Sequence, residues 1–218
     1  MGEKRHIGKR LISLLTLSLL LCILFGMNAC AAREPKFPKE VMLLSGNSVG
    51  FEVMDSVKTD KILKLKSSNP KVVTAADEVY SGGHYIDLIP KKAGTATVSF
   101  TVKRKNGKTY SLKTKVKVYN YENPVSKFRI GKKDYTKLFN KKYINSVKAK
   151  PAIKGKLKIT MKKGYKLTGL YWVETKNGKP KKIKNGSNIT LDAKHHIRVE
   201  YKNTQKNFPY NIKLMGNQ

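Results

Sequence analysis

Ser67-Ser68-Asn69-Pro70-Lys71-Val72-Val73-Thr74, followed by Lys92-Ala93-Gly94-Thr95-Ala96-Thr97-Val98-Ser99-Phe100-Thr101-Val102, carries the strongest strand and turn signals of this 218-residue chain. Asn69-Pro70 is a turn signal, because proline fixes its own φ and drives the preceding residue to extended geometry. Val72-Val73-Thr74 is a β-branched run of the kind strands favour. Ala93-Gly94 supplies a tight turn. From there Ala96, Val98, Phe100 and Val102 alternate with Thr95, Thr97, Ser99, Thr101 and Lys103, the period of a half-buried strand. Asn106-Gly107 reads as a two-residue hairpin turn. The returning strand sets Tyr110, Leu112, Thr114, Val116 and Val118 inward and Lys113, Lys115 and Lys117 outward. Upstream, residues 41–44, 49–54 and 61–66 supply three more strands. Short strands divided by turns predict a β-sandwich.

Ser67-Ser68-Asn69-Pro70 and Lys92-Ala93-Gly94-Thr95-Ala96-Thr97-Val98, at this spacing, make residues 40–119 resemble the bacterial immunoglobulin-like domain of group 2. The resemblance implies an immunoglobulin-like sandwich that serves exported proteins as a binding or spacer module, not as an enzyme. Two positions depart from the pattern. Leu65 stands where such domains often carry a core tryptophan, and the hairpin through Ser81-Gly82-Gly83 is longer than usual.

Residues 1–31 read as an export signal. Lys4, Arg5, Lys9 and Arg10 precede an uncharged apolar run over 11–27, and the small residues Ala29, Ala31 and Ala32 follow. Ala29-Cys30-Ala31 fits cleavage by an ordinary signal peptidase. Alternatively Cys30 is the lipidated residue of a lipoprotein, or the run is kept as a membrane anchor at the short end of a span. Any membrane contact would come through that signal or lipid. Cys22 and Cys30 are the only cysteines, so the rest of the chain has neither a disulfide framework nor a cysteine metal site.

The remaining 187 residues suit two domains. The expected layout is a short linker over 32–39, an immunoglobulin-like sandwich over 40–119, a linker over 120–124 marked by Asn123-Pro124, and a basic β-rich domain over 125–218. In that second half Leu157, Ile159 and Met161, then Ile197, Val199 and Tyr201, alternate with polar neighbours, and Tyr210, Ile212 and Leu214 close the chain. Asn177-Gly178 and Asn185-Gly186 are turn pairs. Tyr135, Leu138, Phe139 and Tyr143 fall at helical spacing and predict a short helix within 134–145. The fold class is therefore all-β: two tandem β-sandwich domains, the first immunoglobulin-like, after an N-terminal apolar signal helix.

The formal net charge is +32, unevenly spread. Residues 33–124 hold 17 basic and 9 acidic side chains, and residues 125–218 hold 25 and 4. Such a surface attracts polyanions, which outside a cell means cell-wall or host anionic polymers and acidic carbohydrate. Only 6 of the 46 cations are Arg, so diffuse attraction is favoured over bidentate reading, and no sequence-specific nucleic-acid partner is expected. The candidate polyanion-binding residues are Lys132, Lys133, Lys141, Lys142, Lys162, Lys163, Lys179, Lys181, Lys182 and Lys184. The plain alternative is that outward lysines solubilise the strands and guard sheet edges. Tyr171 and Trp172 are candidate sugar-stacking residues, or else a core aromatic pair flanked by Leu170 and Val173.

Catalytic signals are sparse. The sequence carries no Gly-x-Ser-x-Gly, His-Glu-x-x-His or phosphate loop, and no cofactor is implied. His84, His195 and His196 read as surface or strand-end histidines, and the adjacent pair would point to opposite faces of a strand. A carboxylate hydrolase built from Asp134, Glu174, Asp192 or Glu200 has no motif behind it. The expectation is a non-catalytic exported protein of the cell surface that adheres to, or binds, carbohydrate or anionic polymer through its second half. The rival reading is a structural spacer or assembly subunit without a ligand.

Overall fold

The computed structural model describes residues 33–176 and 178–218. The signal helix, the candidate lipidation site Cys30 and the turn residue Asn177 lie outside the described residues. Among the described residues no helix is long and apolar enough to cross a membrane.

The first half contains β1 (Glu40–Leu44), β2 (Val49–Glu52), β3 (Lys61–Ser67), β4 (Val73–Tyr80), β5 (Gly83–Pro90), β6 (Gly94–Lys103) and β7 (Thr109–Tyr119). They form a four-stranded sheet β1-β7-β6-β3 and a three-stranded sheet β2-β5-β4. β1 runs parallel to β7, and every other pairing is antiparallel. The third, sixth and seventh strands share one sheet and the second, fourth and fifth the other, as in an immunoglobulin sandwich. The alternation read from β6 holds: Ala96, Val98, Phe100 and Val102 are buried and meet Val41, Val73, Ile86, Leu88, Val116 and Val118.

The two sequence elements that pointed to this fold touch each other. The Ser68 amide donates to the Thr97 carbonyl at 2.9 Å, and the Thr97 amide donates to Ser68 Oγ at 2.9 Å. The Asn69 side chain accepts from the Lys71 amide at 3.2 Å, closing the turn before Val72. Gly94 has φ +151°, and a Cβ there would stand 2.9 Å from Val72 Cγ2. Glycine is required because the backbone of β6 starts directly against the Val72 side chain.

The second half contains β8 (Val125–Ile130), β9 (Lys133–Asp134), β10 (Ile144–Lys148), β11 (Ile153–Met161), β12 (Tyr165–Glu174), β13 (Pro180–Lys182), β14 (Asn188–Leu191), β15 (His195–Asn203) and β16 (Phe208–Asn217). Its sheets have the orders β10-β16-β15-β12-β13 and β14-β11-β8-β9. β8 pairs antiparallel with β11 in one sheet, whereas β10 pairs parallel with β16 in the other. The leading edge of this half therefore switches sheets. Its core gathers Phe128, Phe139, Leu157, Leu191, Ile197, Ile212 and Leu214, all buried.

The switch occupies the segment expected to be helical. Thr136–Asn140 is only a single 3-10 turn, and the chain is again a strand by Ile144. The turn is fixed from outside. Asn123 Nδ2 donates to the Thr136 carbonyl and to Asn140 Oδ1, and Thr136 Oγ1 accepts from the Phe128 amide. β8 and β10 pair in different sheets, so the connection must cross between them, and Phe139 fills the core beneath the turn.

The halves meet through side chains at 120–124 and around it. The Tyr119 and Phe208 rings lie 5.1 Å apart, and Asn47 Nδ2 donates to Tyr210 OH at 3.1 Å. Glu122 accepts from Tyr165 OH at 2.8 Å and from Lys206 Nζ at 3.1 Å.

Candidate functional site

All ten candidate lysines are exposed, but the fold distributes them over four places. Lys132 lies in the β8–β9 turn and Lys133 opens β9, while Lys162 and Lys163 lie in the β11–β12 connection. Lys141 and Lys142 follow the 3-10 turn, where they line a cleft of about 240 Å³ with Ser45, Tyr121, Tyr143 and Ile144. Lys179, Lys181, Lys182 and Lys184 fall on and around β13, the largest gathering. Among the described residues β13 is the edge of its sheet and pairs with β12 alone. Lys181, Lys182 and Lys184 line an open cleft of about 490 Å³ with Ile183, Ser187 and Asn188.

Local bonding shapes this cleft. The Ile183 amide donates to the Leu170 carbonyl at 2.9 Å, which keeps the chain on β12 one residue beyond β13. The chain then crosses to the other sheet. Asn185 Oδ1 accepts from the Ile159 amide and its Nδ2 donates to the Ile159 carbonyl, so the side chain docks on β11 as a short strand would. Ser187 Oγ accepts from the Lys184 amide at 3.2 Å. The lysines thus ride a crossover between two sheet edges. The salt bridges of the second half among the described residues involve Arg129, His195, Arg198 and Lys206, and none of the ten lysines. Cations packed within a Debye length of one another raise the local potential, which favours a multivalent anion over isolated counterions.

Tyr171 and Trp172 are not brought together. As neighbours on β12 they face opposite sides of the sheet. Tyr171 lies on the outer face, where the Arg198 guanidinium covers its ring at 4.7 Å. A Cβ at Gly169 would fall 2.5 Å from Tyr171 Cε2, so the ring lies directly over that glycine. Trp172 packs against the core, donates from Nε1 to the Thr190 carbonyl at 2.9 Å, and has the His195 ring stacked on it at 3.8 Å. One ring is therefore capped by a cation and the other by an imidazole.

A further cluster was not legible in the sequence. Lys64, Lys66 and Lys113, with the hydroxyls of Ser99, Thr101 and Ser111, line a cleft of about 370 Å³ on the first half. A register shift in β3 between Leu63 and Lys66, with Lys64 at φ +55°, re-aims these side chains. Nothing in the local pattern announces that bulge.

The histidines divide. His84 stands at the start of β5, a strand end as expected, but it is buried rather than at the surface, 3% exposed. It is buried because Nε2 donates to the Asp60 carbonyl at 3.0 Å while Nδ1 faces Asp77 Oδ1 at 2.9 Å. His195 Nδ1 meets Asp192 Oδ1 at 2.6 Å. Burial alone would raise the Asp192 carboxyl, but the Lys194 amide and His195 hold it below its ordinary value. Burial, aided by Lys213 and Arg198, holds His196 below the usual imidazole range. Among the described residues no three His, Cys, Asp or Glu side chains converge as a metal site would need. Asp134 is spent on the Thr136 amide and Arg129, and Glu200 on Arg198.

No protein-family model matches this chain, and no curated protein matches it. Similarities to solved structures exist. The fibronectin(III)-like modules of Clostridium thermocellum CbhA share 14% identity over 83% of this chain and 91% of theirs, with a TM-score of 0.32. The tandem Ig repeats of Dlar share 11% over 84% and 96%, with a TM-score of 0.37. Domains 5-6 of the S-layer protein SbsC share 12% over 85% and 99%, with a TM-score of 0.30. Likeness of that order settles nothing about family or activity. Strand order and register alone identify the sandwich.

Proposed function

We propose that the chain is an exported, non-catalytic protein, held at the cell surface by residues 1–31, that binds anionic polymer or acidic carbohydrate. In this reading residues 40–119 and 125–218 are two domains joined at 120–124, the first presenting the second. The carrying observation is the cleft at the β13 crossover, where Lys181, Lys182 and Lys184 line about 490 Å³ beside the β13 edge of the sheet. Ser187 and Asn188 at the same cleft suit a hydroxyl-rich ligand. The excess of 25 basic over 4 acidic residues in this half supplies long-range attraction.

The test is binding to heparin and to purified cell walls across a salt series. Replacing Lys181, Lys182 and Lys184 together by Gln should weaken binding about tenfold at low salt, if each exposed cation contributes roughly 0.5 kcal/mol. Replacing Lys132, Lys133 and Lys162 by Gln removes the same charge elsewhere and should weaken it less. Equal losses would mean that only net charge matters. No retention even at low salt would favour the spacer reading.

A further inference from the structure

The β4–β5 hairpin overhangs its own sandwich. Val73 is buried, whereas Asp77, Glu78, Val79 and Tyr80 at the far end of β4 are all exposed. The loop after β2 is bonded to the hairpin end: the Lys58 amide donates to the Gly82 carbonyl at 2.7 Å, and the His84 amide to Ser56 Oγ at 2.9 Å. That loop contributes Met54 and Val57. Among the described residues the four most exposed large apolar side chains all fall at this end: Tyr80 at 70%, Met54 at 53%, Val79 at 50% and Val57 at 47%.

The same end receives the incoming chain. Lys36 and Met54 exchange both backbone hydrogen bonds at 3.0 Å, and the Arg33 carbonyl accepts from Arg104 Nη2. Arg104 also donates to the Asp55 carbonyl at 2.8 Å and to Asp60 Oδ2 at 2.8 Å, so one buried guanidinium ties the entry point to the loop. Cys30 lies three residues before Arg33, and the apolar run over 11–27 precedes it. Three residues reach about 10 Å when fully extended.

We infer that the tip formed by Met54, Val57, Val79 and Tyr80 lies against the lipid bilayer at the headgroup level. The inference rests on the reading that residues 1–31 keep the chain at the membrane. A tether that short leaves the tip facing the bilayer. A tyrosine with an exposed ring and hydroxyl suits the interface, and Arg33, Lys36 and Lys58 beside it suit anionic headgroups. Asp55, Asp77 and Glu78 stand at the same end, which limits depth to the headgroups.

The experiment places the full chain in vesicles of phosphatidylcholine and phosphatidylglycerol, with and without brominated acyl chains. Three proteins are compared: the unaltered chain, whose one tryptophan is Trp172, Tyr80→Trp, and Lys137→Trp on the distant 3-10 turn. The expected result is co-flotation of all three, with bromine quenching and a blue shift only for Tyr80→Trp. Co-flotation with Tyr80→Trp quenched no more than Lys137→Trp overturns the tip contact and leaves retention standing. Failure of the unaltered chain to float overturns retention and the tip contact together.

Discussion

Gly94 and Gly107 both have positive φ, at +151° and +85°, yet they serve different ends. At Gly107 no described atom lies within 4 Å of where a Cβ would stand, so alanine meets only backbone strain. At Gly94 the Cβ would press on Val72, which is itself buried. Gly107→Ala should therefore cost about 1 kcal/mol, and Gly94→Ala about 2–4 kcal/mol, read as urea midpoints. The reverse order would show that Val72 yields freely. Arg104 and Asp60 make a second residue-scale case, with side chains 8% and 1% exposed. Removing one partner strands a buried charge, so Arg104→Ala should lose about 3–5 kcal/mol by the same measurement, and a loss under about 1 would refute the buried pair. Gly94 was legible from sequence because its turn is local. The Arg104–Asp60 pair was not, because 44 residues separate its members and each alone looks like an ordinary surface charge.

Among the elements, β6, β7, β11 and β15 followed directly from period-two alternation, since each buries one face more deeply than the other. The 3-10 turn at Thr136–Asn140 defeated the same logic. Tyr135 and Phe139 are buried at helical spacing, but a single turn bounded by two strands satisfies that spacing as well as a helix does. What decided it was the partition of β8 and β10 between sheets, a long-range matter that no local window contains. Phe139 is fully buried against Phe128, with ring centroids 4.9 Å apart. Phe139→Ala should cost about 3–5 kcal/mol, and amide exchange should accelerate in β10 before β12, because the turn sets where β10 begins. Uniform acceleration across both strands would argue against that role. The lysine cleft at β13 was half legible. The run Lys179-Pro180-Lys181-Lys182-Ile183-Lys184 showed the charge, but the sheet crossing that opens the cleft depends on Asn185 reaching Ile159, 26 residues away.

At the scale of the molecule, one carboxylate at the contact between the halves, Glu122, bonds to the second of them. The bonds from Tyr165 and Lys206 hold the Glu122 carboxyl below its ordinary value. Burial, and then the same bond to Glu122, pushes Tyr165 up to about 12. Both shifts favour the pair Glu122 ionised and Tyr165 protonated, and their signs bound a window. A lowered carboxyl stabilises above the ordinary carboxylate range, and that contribution is lost as pH falls through the lowered value. A raised phenol stabilises below the ordinary tyrosine range and is lost as pH rises through about 12. Between those limits the joint should hold. Below the carboxylate range Glu122 stops attracting Lys206, which also sits over the Tyr119 ring at 5.5 Å, and the contact loosens from both sides. Acid adds a second push, because protonating carboxylates leaves a chain already at +32 with less internal compensation. Small-angle scattering of Glu122→Gln at neutral pH should show a larger maximum dimension than the unaltered protein, with cooperative unfolding of each core otherwise intact. The unaltered protein should reach the same dimension only on acidification. If Glu122→Gln matches the unaltered protein at neutral pH, the aromatic packing of Tyr119 on Phe208 holds the halves together without the carboxylate, and the basic half is presented rigidly at every pH where its core survives.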